Sequence, residues 1–177
     1  MKNNKYIFFA ILAAVLYAIS TPLSKVLLND LEPVFIAGLL YLGAGIGMLA
    51  IGFARKKYNK KYHKPFTRKE VPAIIGMILL DILAPILLLI GLKMSLAENV
   101  ALLNNFEIVA TAIFAAFIFK EKISKRLRIG IVFVTVASIL LTFEDLSALE
   151  FSFGSLLVII ATISWGLENN LTRRLSF

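Results

Sequence analysis

Residues 99–143 read NVALLNNFEIVATAIFAAFIFKEKISKRLRIGIVFVTVASILLTF. Two apolar runs, Asn99–Phe119 and Leu127–Phe143, flank a turn that holds Lys120, Lys122, Lys125, Arg126 and Arg128. A helix needs about 20 mostly apolar residues to cross a bilayer. The second run is the shorter, but its centre, Ile129–Leu141, is interrupted only by small hydroxyls. Neither run alternates, and each is about twice the length of a barrel strand. Lipid offers the backbone no partner, so both segments are expected to be helices.

The same pattern extends outward in both directions. Tyr6–Leu28, Pro33–Ala54 and Val71–Leu92 precede this stretch, and Phe153–Leu171 follows it. Composition agrees: 59% of the 177 residues are hydrophobic and 17% charged, and the mean hydropathy is +0.86. A soluble domain has about half its residues apolar and about a quarter charged. The expected fold is an all-α membrane protein, a bundle of about six transmembrane helices joined by short connections.

The net charge of +8 is a topology signal and not a nucleic-acid footprint. Lys2 and Lys5 precede the first run. The second connection holds Arg55, Lys56, Lys57, Lys60, Lys61, Lys64, Arg68 and Lys69, the fourth holds the five cations named above, and Arg173 and Arg174 close the sixth run. The odd connections carry Asp30 and Glu32, then Glu98, then Glu144, Asp145 and Glu150. Alternating helices place these basic segments on one side, and cytoplasmic loops are the ones enriched in Lys and Arg. Both termini are therefore expected in the cytoplasm, with the chain in the inner (cytoplasmic) membrane. A cleaved signal peptide is the rival reading of the first run. That run exceeds the usual apolar stretch and continues through Pro22 and Lys25.

The chain has no cysteine, which excludes disulfides and thiolate chemistry. His63 lies in a basic loop and reads as solvated. Neither a G-x-S-x-G elbow nor an H-E-x-x-H pair is present. The chain is read as no enzyme, with no catalytic residue, metal or cofactor expected.

Chemistry is concentrated in the polar groups inside the apolar runs. A charge at mid-membrane costs about 2.5–3.5 kcal/mol on insertion scales. Asp81, Glu107 and Glu168 each carry that cost. Lys25 and Lys93 stand near outer helix ends, where they are expected to snorkel to the headgroups. At 100° per residue, Asn104, Glu107 and Thr111 fall within about 60° of one another and form one polar stripe. The stripe is expected to face a cavity, with interhelical hydrogen bonding as the plainer alternative. Tyr17, Ser20, Thr21 and Ser24 form a second polar face. Ser164, Trp165, Glu168, Asn169, Asn170 and Thr172 form a third. Pro22 and Pro85 leave the carbonyls of Ala18 and Asp81 without helical donors, a device that transporters use to line a site at mid-depth. Gly43 and Gly47 form a small-xxx-small pair, expected to pack inside the bundle. An acidic cavity suits cationic, zwitterionic or neutral solutes and disfavours anions.

Three segments together resemble EamA-type transporters of the drug/metabolite transporter superfamily. FKEKISKRLRIGIVFVTVASILL (119–141) is similar to the end of that family's first repeat. Glu121 stands at the acidic position, Lys120 replaces the usual glycine, and Gly130 matches the fifth-helix glycine. AILAAVLYAISTPLSKVLL (10–28) resembles the family's first helix, with Tyr17 and Ala18 in place of Trp-Gly. GSLLVIIATISWGLENNLTRRL (154–175) repeats that pattern with Trp165 and Gly166 restored, whereas Glu107 stands where many relatives have a proline. The resemblance implies ten helices in two inverted five-helix repeats. Residues 1–146 then form the first repeat, and 147–177 begin a truncated second one. It implies transport of small metabolites by alternating access, and the intramembrane polar groups nominate Glu107, Asn104, Asp81, Tyr17, Trp165 and Glu168 as candidate substrate-binding residues. The partners expected are a small-molecule substrate and the lipid bilayer, with a homodimer or the missing second repeat completing the pocket. A non-transporting scaffold or accessory subunit is the alternative.

The topology is testable because the chain lacks cysteine. Single cysteines at Asn59 and Ser147 are expected to react with an impermeant thiol reagent from opposite sides of the membrane. Reaction of both from the same side overturns the arrangement.

Overall fold

A run of apolar residues that satisfies its own backbone bonds becomes a helix, and helices make up nearly all of this structure. The computed structural model describes residues 3–56, 67–120, 122–145 and 150–175. Its helices are α1 (Asn3–Leu27), α2 (Pro33–Lys56), α3 (Val71–Met94), α4 (Ala97–Leu103), α5 (Phe106–Phe119), α6 (Lys125–Thr142) and α7 (Phe153–Leu175). A two-stranded antiparallel ribbon, β1 (Phe143–Asp145) with β2 (Glu150–Phe151), joins α6 to α7. Glu121, His63, Asn59, Ser147 and the 146/147 boundary lie outside the described residues.

Among the described residues, four segments are long and apolar enough to cross a membrane: Tyr6–Leu27, Pro33–Phe53, Val71–Met94 and Ala97–Phe119. The chain is a multi-pass, all-α membrane bundle. The fourth run, expected as one continuous helix, is divided at Asn104–Asn105. The Asn105 amide donates back to the Leu102 carbonyl at 3.0 Å. The next backbone bonds, Glu107 to Asn104 and Ile108 to Asn105, tighten to a three-residue spacing at 3.1 Å. A side-chain amide that bonds its own backbone competes with the helical ladder in this way. Both residues keep right-handed dihedrals, so α5 continues the course of α4.

α7 is the centre of the bundle. It shares its largest interface with α3 and its next largest with α5. Gly91 lies opposite Gly154 and Gly76 opposite Leu171, so α3 and α7 run antiparallel. A Cβ on Gly91 would stand 2.5 Å from the Gly154 carbonyl oxygen. One on Gly166 would stand 2.5 Å from the Ala110 Cβ and 2.8 Å from the Thr111 nitrogen. The buried face of α7 consists of Gly154, Ser155, Val158, Ala161, Thr162, Ser164, Gly166 and Asn170. Small residues let backbones approach where dispersion and polar contacts must replace the hydrophobic drive.

The glycines expected to pack do not. Gly43 and Gly47 of α2 have nothing within 4 Å of an added Cβ. α1, α2 and α6 lie at the periphery, and most of their large apolar side chains face outward. That is the surface a lipid-facing helix presents.

Lys120 ends α5 at φ 54°, ψ 34°, in the left-handed region. Glycine reaches that conformation without Cβ strain, which is why helices so often end on it. The glycine that Lys120 replaces therefore has a physical reason in this backbone.

The close approach is testable in detergent. Gly166→Ala is expected to lower unfolding stability by about 1–3 kcal/mol, because the added methyl meets backbone that cannot rotate away. Gly43→Ala, in open space, is expected to stabilise α2 by about 0.5–1 kcal/mol. Equal effects of the two substitutions would overturn the packing.

Candidate functional site

Three layers lie along the bundle axis. At the end where α1 and α3 finish, Leu28, Ile36, Leu89, Leu92, Val100, Leu103 and Val158 pack into a buried apolar cluster. Next comes a cavity of about 340 Å³ lined by Tyr17, Ser20, Thr21 and Ser24 of α1, Tyr41 of α2, Pro85 and Leu89 of α3, Asn104, and Trp165 of α7. The third layer is acidic. Asp81 precedes Pro85 by four residues on α3, which ascends. Glu107 follows Asn104, and Glu168 follows Trp165, by three residues each on descending segments. All three carboxylates thus stand about one turn below the cavity, toward the end with the basic segments.

Each layer has a local cause. The first-helix residues Tyr17, Ser20, Thr21 and Ser24 recur at three- and four-residue steps, so they share a face. All four line the cavity. The Ser20 hydroxyl is held by the Tyr17 carbonyl at 2.7 Å. Asn104 sits at the α4–α5 break, and its Oδ1 is buried without a hydrogen-bond partner. A buried polar atom left unpaired is costly, and a ligand donor can supply what is missing.

The expected stripe on the fourth run divides in use. Asn104 faces the cavity, whereas Glu107 and Thr111 face α7. Asn169 Nδ2 donates to Glu107 Oε1 at 2.7 Å and to Thr111 Oγ1 at 3.3 Å. Asn170 Nδ2 donates to the Thr111 carbonyl at 3.1 Å and to the Gly166 carbonyl at 2.8 Å. Glu107 therefore sits beside the cavity, in a polar seam that joins α5 to α7. Thr172 donates to the Glu168 carboxylate within α7.

Of the six candidate residues, Tyr17, Asn104 and Trp165 line the cavity itself; Asp81, Glu107 and Glu168 form the layer beneath. Tyr41 is the functional side chain that the sequence reading missed. Its hydroxyl donates to Asp81 Oδ1 at 3.4 Å, and it lines the cavity together with Trp165. The signal was the lone phenol near the middle of an otherwise apolar, glycine-rich helix.

Lys25 departs from the snorkelling expected of it. Its ammonium donates to the carbonyls of Leu92 at 2.6 Å, Ser95 at 2.7 Å and Lys93 at 3.2 Å. Those are the orphan carbonyls at the end of α3. Lys93 keeps an exposed ion pair with Glu32 at 3.9 Å.

The described residues form a multi-pass bundle with a polar, aromatic cavity backed by carboxylates. Residues 4–143 match the EamA-like transporter family, and the chain belongs to that family, within the drug/metabolite transporter superfamily. It is 28% identical over 179 residues to an uncharacterized transporter of Methanothermobacter thermautotrophicus. That alignment covers 94% of this chain and 52% of the relative, so the chain spans about half the length of the curated relative it matches. No solved structure matches the chain.

The seam makes a testable claim about Glu107. Glu107→Gln keeps an acceptor for Asn169 and is expected to unfold with nearly unchanged stability. Glu107→Leu strips the better of that amide's two acceptors and is expected to cost about 1–3 kcal/mol. A Leu variant as stable as the parent would remove Glu107 from the α5–α7 contact.

Proposed function

We propose that the chain forms the solute pathway of a secondary transporter for small cationic, zwitterionic or neutral metabolites, working by alternating access. The observation that carries this reading is the convergence of Tyr17, Tyr41, Asn104 and Trp165, from four separate segments of the chain, on one cavity. Its volume suits a small metabolite, since ligand pockets run from about 300 to about 1,000 Å³. No ionised side chain is among its lining residues, and the nearest charged layer is acidic. An anion entering it would meet repulsion from that layer, and the Lys25 ammonium beside it is already taken up by the carbonyls at the end of α3.

The reading is of a carrier and not an enzyme, in the cytoplasmic membrane with the N-terminus and basic segments inside. Arg173, at the end of α7, lies over the Phe119 ring at 4.9 Å. That contact supports placing the ends of α5 and α7 at the same face. Residues 1–146 are proposed as a first five-helix repeat, and 147–177 as the start of a second. The family match, which ends at residue 143, supports that boundary. The outward apolar faces of α1, α2 and α6 leave room for lipid, for a second repeat or for a second copy that completes the pocket.

Proton coupling deepens the same reading. Carboxylates that face one another inside a membrane are the groups proton-driven transporters use, and Glu107 is proposed to control substrate binding or that coupling. An accessory, non-transporting role is the second reading. It is favoured by the direct bond of Glu107 to Asn169, a contact that a purely structural residue would make.

Trp165, the single tryptophan, lines the cavity and serves as a built-in reporter. Purified chain in lipid nanodiscs, titrated with panels of organic ammonium, zwitterionic, neutral and anionic solutes, is expected to change its emission saturably with members of the first three classes only. Asn104→Ala is expected to weaken that response about ten-fold or more, the cost of one hydrogen bond in a dry site. Glu107→Gln is expected to flatten its pH dependence. Silence to every solute, or a response to anions alone, would favour the accessory role.

A further inference from the structure

Lys25 does more than neutralise the end of a helix. An ammonium has three protons to place, and here the carbonyls of Leu92, Lys93 and Ser95 accept them at 2.6, 3.2 and 2.7 Å. Charge-assisted bonds of this kind are the strong ones, and the C-terminal end of a helix attracts a cation. The clamp joins α1 to the end of α3. It stands directly beside the cavity, because Ser24 and Leu92 line it.

The rest of α1 is held lightly. Its buried residues are Thr21 and Ser24 of the cavity wall, with Leu28 just beyond its end in the apolar cluster. Apart from Tyr17 at the cavity, its large apolar side chains face outward. Pro22, three residues before Lys25, removes the backbone bond to the Ala18 carbonyl and so makes that turn the weakest in the helix. A cavity wall hinged at Pro22 and fastened at Lys25 has the parts of a gate.

We propose that Lys25 is a positioning residue that latches the α1 wall onto α3, and that its release opens the cavity toward the side where α1 ends. Leu28 leaves the apolar cluster in the same movement, so latch and seal open together. The inference rests on the transport reading only for its purpose. The gate itself is read by accessibility, without any solute.

The absence of native cysteine allows a direct test in sealed vesicles. A cysteine at Ser24, labelled from the side where α1 ends with an impermeant methanethiosulfonate, is expected to react slowly with Lys25 in place. In Lys25→Met, which keeps the stem but loses all three donated bonds, it is expected to react about ten-fold faster or more, the population shift produced by losing a charge-assisted clamp. Lys25→Arg is expected to stay slow. A cysteine at Thr162, inside the α7 core, is expected to stay slow in every background. Equal rates at Ser24 with Lys25 and Met overturn the latch, and so does acceleration at Thr162, which would mean a loosened bundle. Should the Met variant not reach the membrane, Lys25→Gln against Lys25→Arg gives the same comparison, and equal rates there overturn the latch as well. A Trp165 that responds to no solute would sink the transport reading while leaving these rates unchanged.

Discussion

The close approach of α7 to α3 and α5 is the constraint on which the rest of this structure depends. Lipid tails are as apolar as leucine, so helices inside a membrane gain little from hiding apolar surface from each other. What remains is dispersion at short range and hydrogen bonds between helices. Both need backbones close together, and α7 achieves this with Gly154 against Gly91 and Gly166 against Ala110. Once the backbones are that near, the Asn169 and Asn170 amides reach Glu107 and Thr111, and Trp165 is carried into contact with the cavity. Steric permission comes first, and the polar seam and the site follow from it.

The spans were legible because their signal is physical and coarse. Twenty apolar residues between charged connections admit few other structures, and the intramembrane polar groups stand out by their cost. Tyr17, Asn104, Trp165 and the serines and threonine of α1 could be nominated on that ground. What sequence could not show was partnership. Gly43 and Gly47 satisfy the same spacing rule as any packing pair, yet they face open space. Gly91, Gly154 and Gly166, which share no such spacing, make the contacts. Helical periodicity says which residues share a face and is silent on what that face meets. Lys25 illustrates the same limit: its depth was right for snorkelling, but the acceptors it found belong to a helix 67 residues away. The break at Asn104–Asn105 was missed for a different reason. Asn104 read as part of the polar stripe of a continuous helix, and nothing in the spacing showed that its neighbour Asn105 would turn back on its own backbone.

The layering along the axis explains how one bundle tolerates so many polar groups. The apolar cluster of Leu28, Ile36, Leu89 and Leu92 occupies one end, and the basic segments occupy the other. Polar and acidic residues are confined between them, where each has a partner or a cavity. Tyr41 satisfies Asp81, Asn169 satisfies Glu107, and Thr172 satisfies Glu168. The Asn104 Oδ1, like the Ser95 Oγ at the end of α3, is buried and unpaired, and it stands at the cavity wall. Asp81, Glu107 and Glu168 each have a donor, whereas the unmet capacity of the Asn104 oxygen stands at the cavity wall, where the proposed solute would meet it.

Rigidity and freedom are divided between helices in a way that suits movement. α3, α5 and α7 share small residues, close backbones and a polar seam, and sliding any one of them would break several contacts together. α1 and α2 turn most of their apolar surface outward, and α1 meets the bundle mainly through cavity-lining residues, Leu28 and the Lys25 clamp. A helix whose outer surface is solvated by lipid loses nothing on that side when it tilts, since lipid follows it. The resistance to its movement is therefore concentrated in the few contacts on its inner side. In water the same detachment would expose a long apolar stripe and cost stability in proportion to its area. In a bilayer that penalty largely disappears, and a single ammonium can decide whether the wall is open or closed.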